Sequence, residues 1–323
     1  MKDPFDLFIE DSVYKVNDDY YKLMYKTKIT FFDYLNKGKS FEDFQKANDK
    51  IWSKFDYSFM KQRIKELDEM IKQRDLKGNK IINPNAEFKE VYDLISIGKY
   101  KSVEDKFKKV IEDYYKVKLK TIKKEYINKK AYLTKGVDTY DEVQQTIPYY
   151  NKDGSIHSYH NIASYNSMLY NVSLNHAGWN RTSYDAKLLG INIEYLPAHT
   201  FACPLCQEWQ GKLYSNDGTS GIIDGRPYQP KENAIAGGVG HPNCRHQWTL
   251  YWSENQLQKD DYNSEEWIEK YKAKQKNRAI ERKISTITND RKIYRKIGNY
   301  EEVDKANQKI NALFSKKELS ELC

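Results

Sequence analysis

Cys203-Pro204-Leu205-Cys206 and His241-Pro242-Asn243-Cys244, the second running straight into Arg245-His246, decide how this 323-residue chain is read. Three of its four cysteines lie there; the fourth is the terminal Cys323. A pair of Cys or His residues with two residues between them folds into a tight knuckle whose donors converge on one point. Two such knuckles wrap a tetrahedral metal. Cys203, Cys206, His241 and Cys244 form the expected ligand set, a filled Cys3His site suited to structural zinc. His199 and His246 stand close enough in sequence to compete for the fourth place. The 34 residues between Cys206 and His241 exceed ordinary finger spacing, but ligands need only meet in space.

Redox chemistry is the rival for the first pair, because a Cys-x-x-Cys at a helix start has a lowered thiol pKa. The following Gln207-Glu208-Trp209-Gln210-Gly211 reads instead as a turn into a strand at Lys212-Leu213-Tyr214, with no βαβ context. Gln210-Gly211 reads most simply as a hairpin turn, and Trp209 as the roof of a small core. Gly237, Gly238 and Gly240 let the backbone pass close to its surroundings. Arg245 suits a carboxylate, a phosphate or the module surface. No Ser-His-Asp arrangement, phosphate loop or GxGxxG appears, which leaves hydrolase, kinase and dehydrogenase readings without support.

Outward from the knuckles the chain is helical. Charged residues make up 31% and hydrophobic ones 39%, with 27 tyrosines, 15 glycines and 8 prolines, a composition of long amphipathic helices with aromatic seams. Val13, Val16, Tyr20, Leu23 and Thr27 alternate steps of three and four. Asn36 to Ser40 interrupts them, and Ser40 with Asp43 forms a capping start for the aromatic segment Phe41 to Phe55. Ile64, Leu67, Met70 and Ile71 continue the period toward Gly78, Asn83-Pro84-Asn85 breaks it, and a new helix starts near Ala86. From Asp105 to Leu133 one amphipathic pattern places Phe107, Val110, Ile111, Tyr114 and Val117 on a face, with lysines opposite. Ile147 to Tyr150 is strand-like before an Asp153-Gly154 turn. A helix from Ser158 to Leu189 ends at Gly190, and Ile191 to Leu196 alternates as a strand. Gly218 to Gly240 is irregular, with short strands at most. Beyond Trp252, Asn263 or Ser264 caps a basic helix, with Glu266 in its first turn and Ile280, Ile284, Ile287 and Tyr294 on one face.

The expected fold is α+β and predominantly α-helical. A helical region spans 1–140, a mixed module with the Cys/His knuckle 141–255, and a basic helical tail 256–323. The net charge of +8 permits contact with nucleic acid without demanding it. No leader or membrane-spanning run is visible, and thiols beside histidines suit a reducing compartment, so a soluble protein made in the cytoplasm is expected.

The run His199-x-x-Ala202-Cys203-Pro204-x-Cys206-x-x-Trp209-Gln210-Gly211-Lys212-x-Tyr214-Ser215, followed by Gly240-His241-Pro242-Asn243-Cys244-Arg245-His246, resembles the minor head proteins of tailed bacteriophages. These are the phage minor capsid protein 2 group and the Mu- and SPP1-type head-morphogenesis proteins. Ala177-Gly178-Trp179-Asn180-Arg181, Asp185-Ala186 with Gly190, and the basic stretch Gln275 to Arg282 fit the same group, so the resemblance covers the chain from about Ile147 onward. Many relatives carry Cys-Arg-Cys where this chain has Cys244-Arg245-His246, and some lack the first cysteine pair, which keeps the fourth ligand open.

The resemblance implies a non-enzymatic structural protein of the virion, made in the host cytoplasm and placed in the head interior or at the portal vertex. Its implied partners are the portal protein and capsid or procapsid subunits, and packaged double-stranded DNA through basic helices, with no membrane. Its implied role is head assembly, genome packaging or DNA delivery. The alternative is a metal-dependent nuclease or other DNA-processing enzyme, against which stands the lack of Asp or Glu beside the second knuckle.

Overall fold

Steps of three and four along the first residues produce helix α1, Pro4–Lys37, in the computed structural model, which describes residues 4–75, 97–124, 128–145, 147–150, 154–199, 202–257 and 265–321. Ser40 closes a capping box with Asp43 and starts α2, Phe41–Trp52. Helices α3 (Tyr57–Asp75), α4 (Ile97–Lys124) and α5 (Lys129–Gln144) follow, then strands β1 (Ile147–Tyr150) and β2 (Ile156–His160) and helix α6 (Ile162–Leu189). Strand β3 (Ile193–Leu196), the short helix α7 (Pro204–Gln207) and strands β4 (Lys212–Ser215), β5 (Gly221–Ile223) and β6 (Arg226–Pro230) lead to α8 (Lys231–Ala236) and β7 (Thr249–Leu250). Helices α9 (Glu265–Lys296) and α10 (Tyr300–Glu321) close the chain. The fold is α+β and predominantly helical. Among the described residues no helix is long and apolar enough to cross a membrane.

Two compact units are built from interleaved segments. One comprises Asn17–Phe55, Ile97–Asn166 and Gln275–Cys323. Its core is aromatic: Phe31, fully buried, meets Phe32, Phe44, Tyr115 and Tyr140 with ring centroids 5.0–5.6 Å apart. Edge-on contacts of this kind add to the burial of each ring. Lys28, 1% exposed, stands 5.6 Å from the centroid of the Tyr140 ring and pairs with Asp141 at 2.9 Å and Asp290 at 2.6 Å, tying α1 to α5 and α9. The hairpin β1–β2 also belongs here, paired antiparallel.

The other unit comprises Met1–Val16, Asp56–Ser96 and Ser167–Lys274, and it carries the cysteines. Its sheet has the order β5-β6-β4-β3-β7. All pairs are antiparallel except β4 with β6, which the short crossover through β5 makes parallel. Leu213, Tyr195, Ile193 and Tyr251 pack on one side of it.

Several expectations change. The stretch from Asp105 to Leu133 holds two helices, because Asn128 caps α5 by accepting the Ala131 N–H at 3.2 Å. The buried face of α4 is Phe107, Ile111, Tyr115 and Leu119, while Val117 is 59% exposed. Tyr115 takes the inner position because its ring stacks on Phe44 at 4.2 Å. Helix α6 starts at Ile162, four residues later than expected, since Ser158 to His160 pair with β1. The stretch from Gly218 to Gly240 holds a helix, α8, besides its strands. Gly190 does end α6: it sits at φ 67° while Ile191 N–H reaches back to Ala186 at 2.9 Å. The expected break at Asn83-Pro84-Asn85, the helix start near Ala86, the end near Gly78, the cap at Asn263 or Ser264, and Cys323 lie outside the described residues.

Phe31→Ala is expected to cost about 3–5 kcal/mol, and Val117→Ala to stay within about 0.5 kcal/mol, in urea unfolding. Equal losses would contradict this assignment of the core.

Candidate metal centre

The second knuckle sits on an irregular segment, and irregular buried backbone must find hydrogen-bond partners outside any ladder. Helix α6 supplies them from one face. Asn171 Nδ2 donates to the carbonyls of Pro242 at 2.9 Å and Cys244 at 2.7 Å. Asn175 Nδ2 donates to the same Cys244 carbonyl. Trp179 Nε1 donates to the His246 carbonyl at 2.8 Å, and Thr182 Oγ1 to that of Trp248 at 3.2 Å. Steps of four, four and three on the helix thus match carbonyls at every second residue of the segment from Pro242 to Trp248. Asn175 Oδ1 also accepts from Gln247 Nε2 at 2.9 Å.

Close approach explains three glycines. A Cβ on Gly178 would lie 2.0 Å from Gln247 Oε1, one on Gly237 2.1 Å from the Trp209 ring, and one on Gly240 2.5 Å from the Trp179 ring. Trp209 is the expected roof, half-buried against the cluster of Trp179, Leu196, Ala202, Cys206, Tyr214, Ala234, Val239, Cys244 and Trp248. The fully buried Glu194 pairs with Lys231, whose ammonium stands 4.8 Å from the centroid of the Trp248 ring. Arg245 meets a carboxylate, Glu10, at 3.0 Å.

Cys203 caps α7, so the first pair does open a short helix, where the sequence reading expected only a turn. Cys203 is half-buried, Cys206 and Cys244 are buried, and His241 is half-buried. The structure draws these four together and adds His246. Among the described residues two triples have donor atoms all within 4.8 Å of one another: Cys203, Cys206 and His241, and Cys206, Cys244 and His246. Cys206 belongs to both. Its sulfur lies 3.7 Å from that of Cys244, and Cys244 Sγ lies 3.6 Å from His246 Nδ1. Donors around a tetrahedral zinc stand roughly 3.5–3.8 Å apart, so these edges fit. Neither triple contains a carboxylate. His199 is in neither; its ring packs on that of His246 with centroids 4.0 Å apart.

Charge is already separated within the cluster. The hydrogen bond from the Cys206 thiol, aided against burial by the His241 ring, holds Cys203 down at about 4. Cys206 is pushed up, because its proton serves Cys203 and Cys244 and because it is buried. Cys244 lies well below the usual thiol range, chiefly because the Cys206 thiol donates to it. Burial opposes a charged His241, but its hydrogen bond to Cys203 wins and raises it. Two thiolates beside an imidazole are the ligand forms a soft or borderline metal takes, so this donor set suits one.

The sequence reading missed Gln210. Fully buried, it is no hairpin turn: its Oε1 accepts the His199 N–H at 3.1 Å and faces His246 Nε2 at 3.0 Å. Gly211, at φ 74°, then turns the chain into β4. The signal available was a glutamine between a half-buried tryptophan and a glycine, which fits a turn equally well.

Gly240→Ala combines a left-handed backbone at φ 90° with collision against Trp179, and is expected to destabilise this unit by about 2–5 kcal/mol. Gly218→Ala, also left-handed at φ 77° but in open space, should lose only about 1–2 kcal/mol. Guanidinium unfolding followed by tryptophan fluorescence measures both, and the reverse order would contradict the packing described.

No curated protein and no solved structure matches the chain. Residues 160–318 match the family described as phage minor capsid protein 2, a span holding all of α6, both knuckles and most of the basic helical tail. Over that span the chain is similar to the phage minor capsid protein 2 family, a likeness that supports a phage minor head protein.

Proposed function

We propose that the protein is a non-enzymatic structural component associated with the portal vertex of a tailed-phage head. In this reading it acts in head assembly, genome packaging or DNA delivery, with the portal protein and capsid or procapsid subunits as partners. The observation that carries the reading is the family match over 160–318, which spans both knuckles in one block. The module, taken as 141–255, is closed by a structural zinc held by the thiolates of Cys203, Cys206 and Cys244 and by one imidazole, His241 being the one expected from the sequence. Sulfur donors without a carboxylate suit a filled structural site, whereas a hydrolytic metal keeps an open position and a general base. That chemistry favours the structural role over a nuclease.

The basic tail, 256–323, is the part suited to packaged DNA. Lys276, Arg282 and Lys283 lie exposed on α9. Contacts of this type are phosphate-directed and weaken steeply with salt.

Purified full-length protein is expected to bind purified portal at moderate salt and to enter procapsids assembled with it. Failure of both would overturn the proposal. Plasmid cleavage lost in His241→Ala would replace it with the nuclease reading.

A further inference from the structure

Two histidines reach the cysteine cluster, and their hydrogen bonds orient them oppositely. Gln210 Oε1 accepts the backbone N–H of His199 at 3.1 Å. A backbone amide only donates, which fixes that atom of the carboxamide as its oxygen. The same oxygen lies 3.0 Å from His246 Nε2, so Nε2 must carry the proton. The lone pair of His246 is therefore on Nδ1, the atom 3.6 Å from Cys244 Sγ and inside the triple with Cys206.

His241 is wired the other way. Its Nδ1 accepts the backbone N–H of Asn243 at 3.2 Å, which leaves the proton on Nε2. Nε2 stands 2.9 Å from Cys203 Sγ and donates to it. A metal-binding imidazole presents its lone pair to the ion and its N–H outward to an acceptor that fixes the tautomer. His246 has that arrangement, with a buried carboxamide as the acceptor. His241 has its reverse.

We infer that the fourth ligand is His246, through Nδ1, with Gln210 as its positioning residue, and that His241 is an N–H donor to the Cys203 thiolate. The inference rests on the proposed metal reading of the cluster. It also gives Gln210 a reason to be buried: the carboxamide joins the first knuckle to the second by holding His199 and His246 on one oxygen.

Long-range proton–nitrogen NMR of zinc-loaded, histidine-labelled full-length protein tests this directly, with zinc content measured on the same sample. The expected spectrum shows His246 with Nδ1 shifted as a metal-bound nitrogen and Nε2 protonated, and His241 with a protonated Nε2. A metal-bound nitrogen on His241 or His199 would overturn the inference while leaving the metal reading intact. A folded sample without zinc would overturn the metal reading itself, and the inference with it.

Cobalt(II) loading of two variants gives a second readout. His246→Cys should raise the thiolate charge-transfer intensity about 1.3-fold, from three thiolates to four, and His241→Cys should leave it unchanged. The opposite pattern assigns the ligand to His241. Chelator competition should find zinc bound about 10–100-fold more weakly in Gln210→Ala, and rescued in Gln210→Glu, which keeps an acceptor oxygen. Wild-type affinity in Gln210→Ala would remove the positioning role.

Discussion

The arrangement rests on one row of hydrogen bonds, from Asn171, Asn175, Trp179 and Thr182 of α6 to the carbonyls of Pro242, Cys244, His246 and Trp248. A buried carbonyl left without a donor costs on the order of 1–3 kcal/mol. The segment from Pro242 to Trp248 has three such groups, at Cys244, His246 and Trp248, besides the half-buried Pro242 carbonyl, and only a two-residue strand, β7, immediately beyond it. Without the helix it would have no reason to stay extended and buried. With it, the period of the helix and the period of the extended chain are locked in register. Cys244 and His246 are then fixed by the backbone on either side of Arg245, which reaches outward to Glu10.

The first knuckle reaches the same place by a different route. Strand β3 delivers the chain to Cys203, α7 turns it, and Gly211 returns it to β4 with its N–H on the Leu196 carbonyl at 2.7 Å. Cys206, on that turn, is where the two routes join, since it belongs to both triples. Tryptophans fill the space around it: Trp179 lies under Gly240, Trp209 against Gly237, and Trp248 between Tyr214 and Trp179 at 5.1 and 5.9 Å. The close contacts at these glycines show that the site was packed by removing side chains as well as by adding them. Sheet, helix and knuckles therefore form one cooperative unit, and a metal would join parts already held near each other.

Much of this was legible in the sequence where one residue type has one physical use. Ser40 with Asp43, Gly190, and the Cys-x-x-Cys and His-x-x-Cys pairs each point to a local conformation, and each is found there. The helical class followed from the apolar period and from the scarcity of glycine and proline. What stayed hidden depended on distant partners. Asn171 and Asn175 read as ordinary polar residues of a helix until the carbonyls they serve are seen. Gln210 reads as a turn residue until His246 arrives from a position 36 residues later. Tyr115 displaces Val117 from the core only because Phe44 is there to stack on. The fourth ligand could not be chosen from spacing, since His199, His241 and His246 all lie within reach in sequence; their tautomers depend on which acceptors the fold brings to them.

Hydrogen–deuterium exchange of full-length Asn175→Ala against the unmodified protein tests the dependence on α6 most directly. The account predicts faster exchange across residues 240–250, with β4 and β6 protected as before. Unchanged protection at 240–250 would show that α6 does not hold the second knuckle, and would contradict the account at its base.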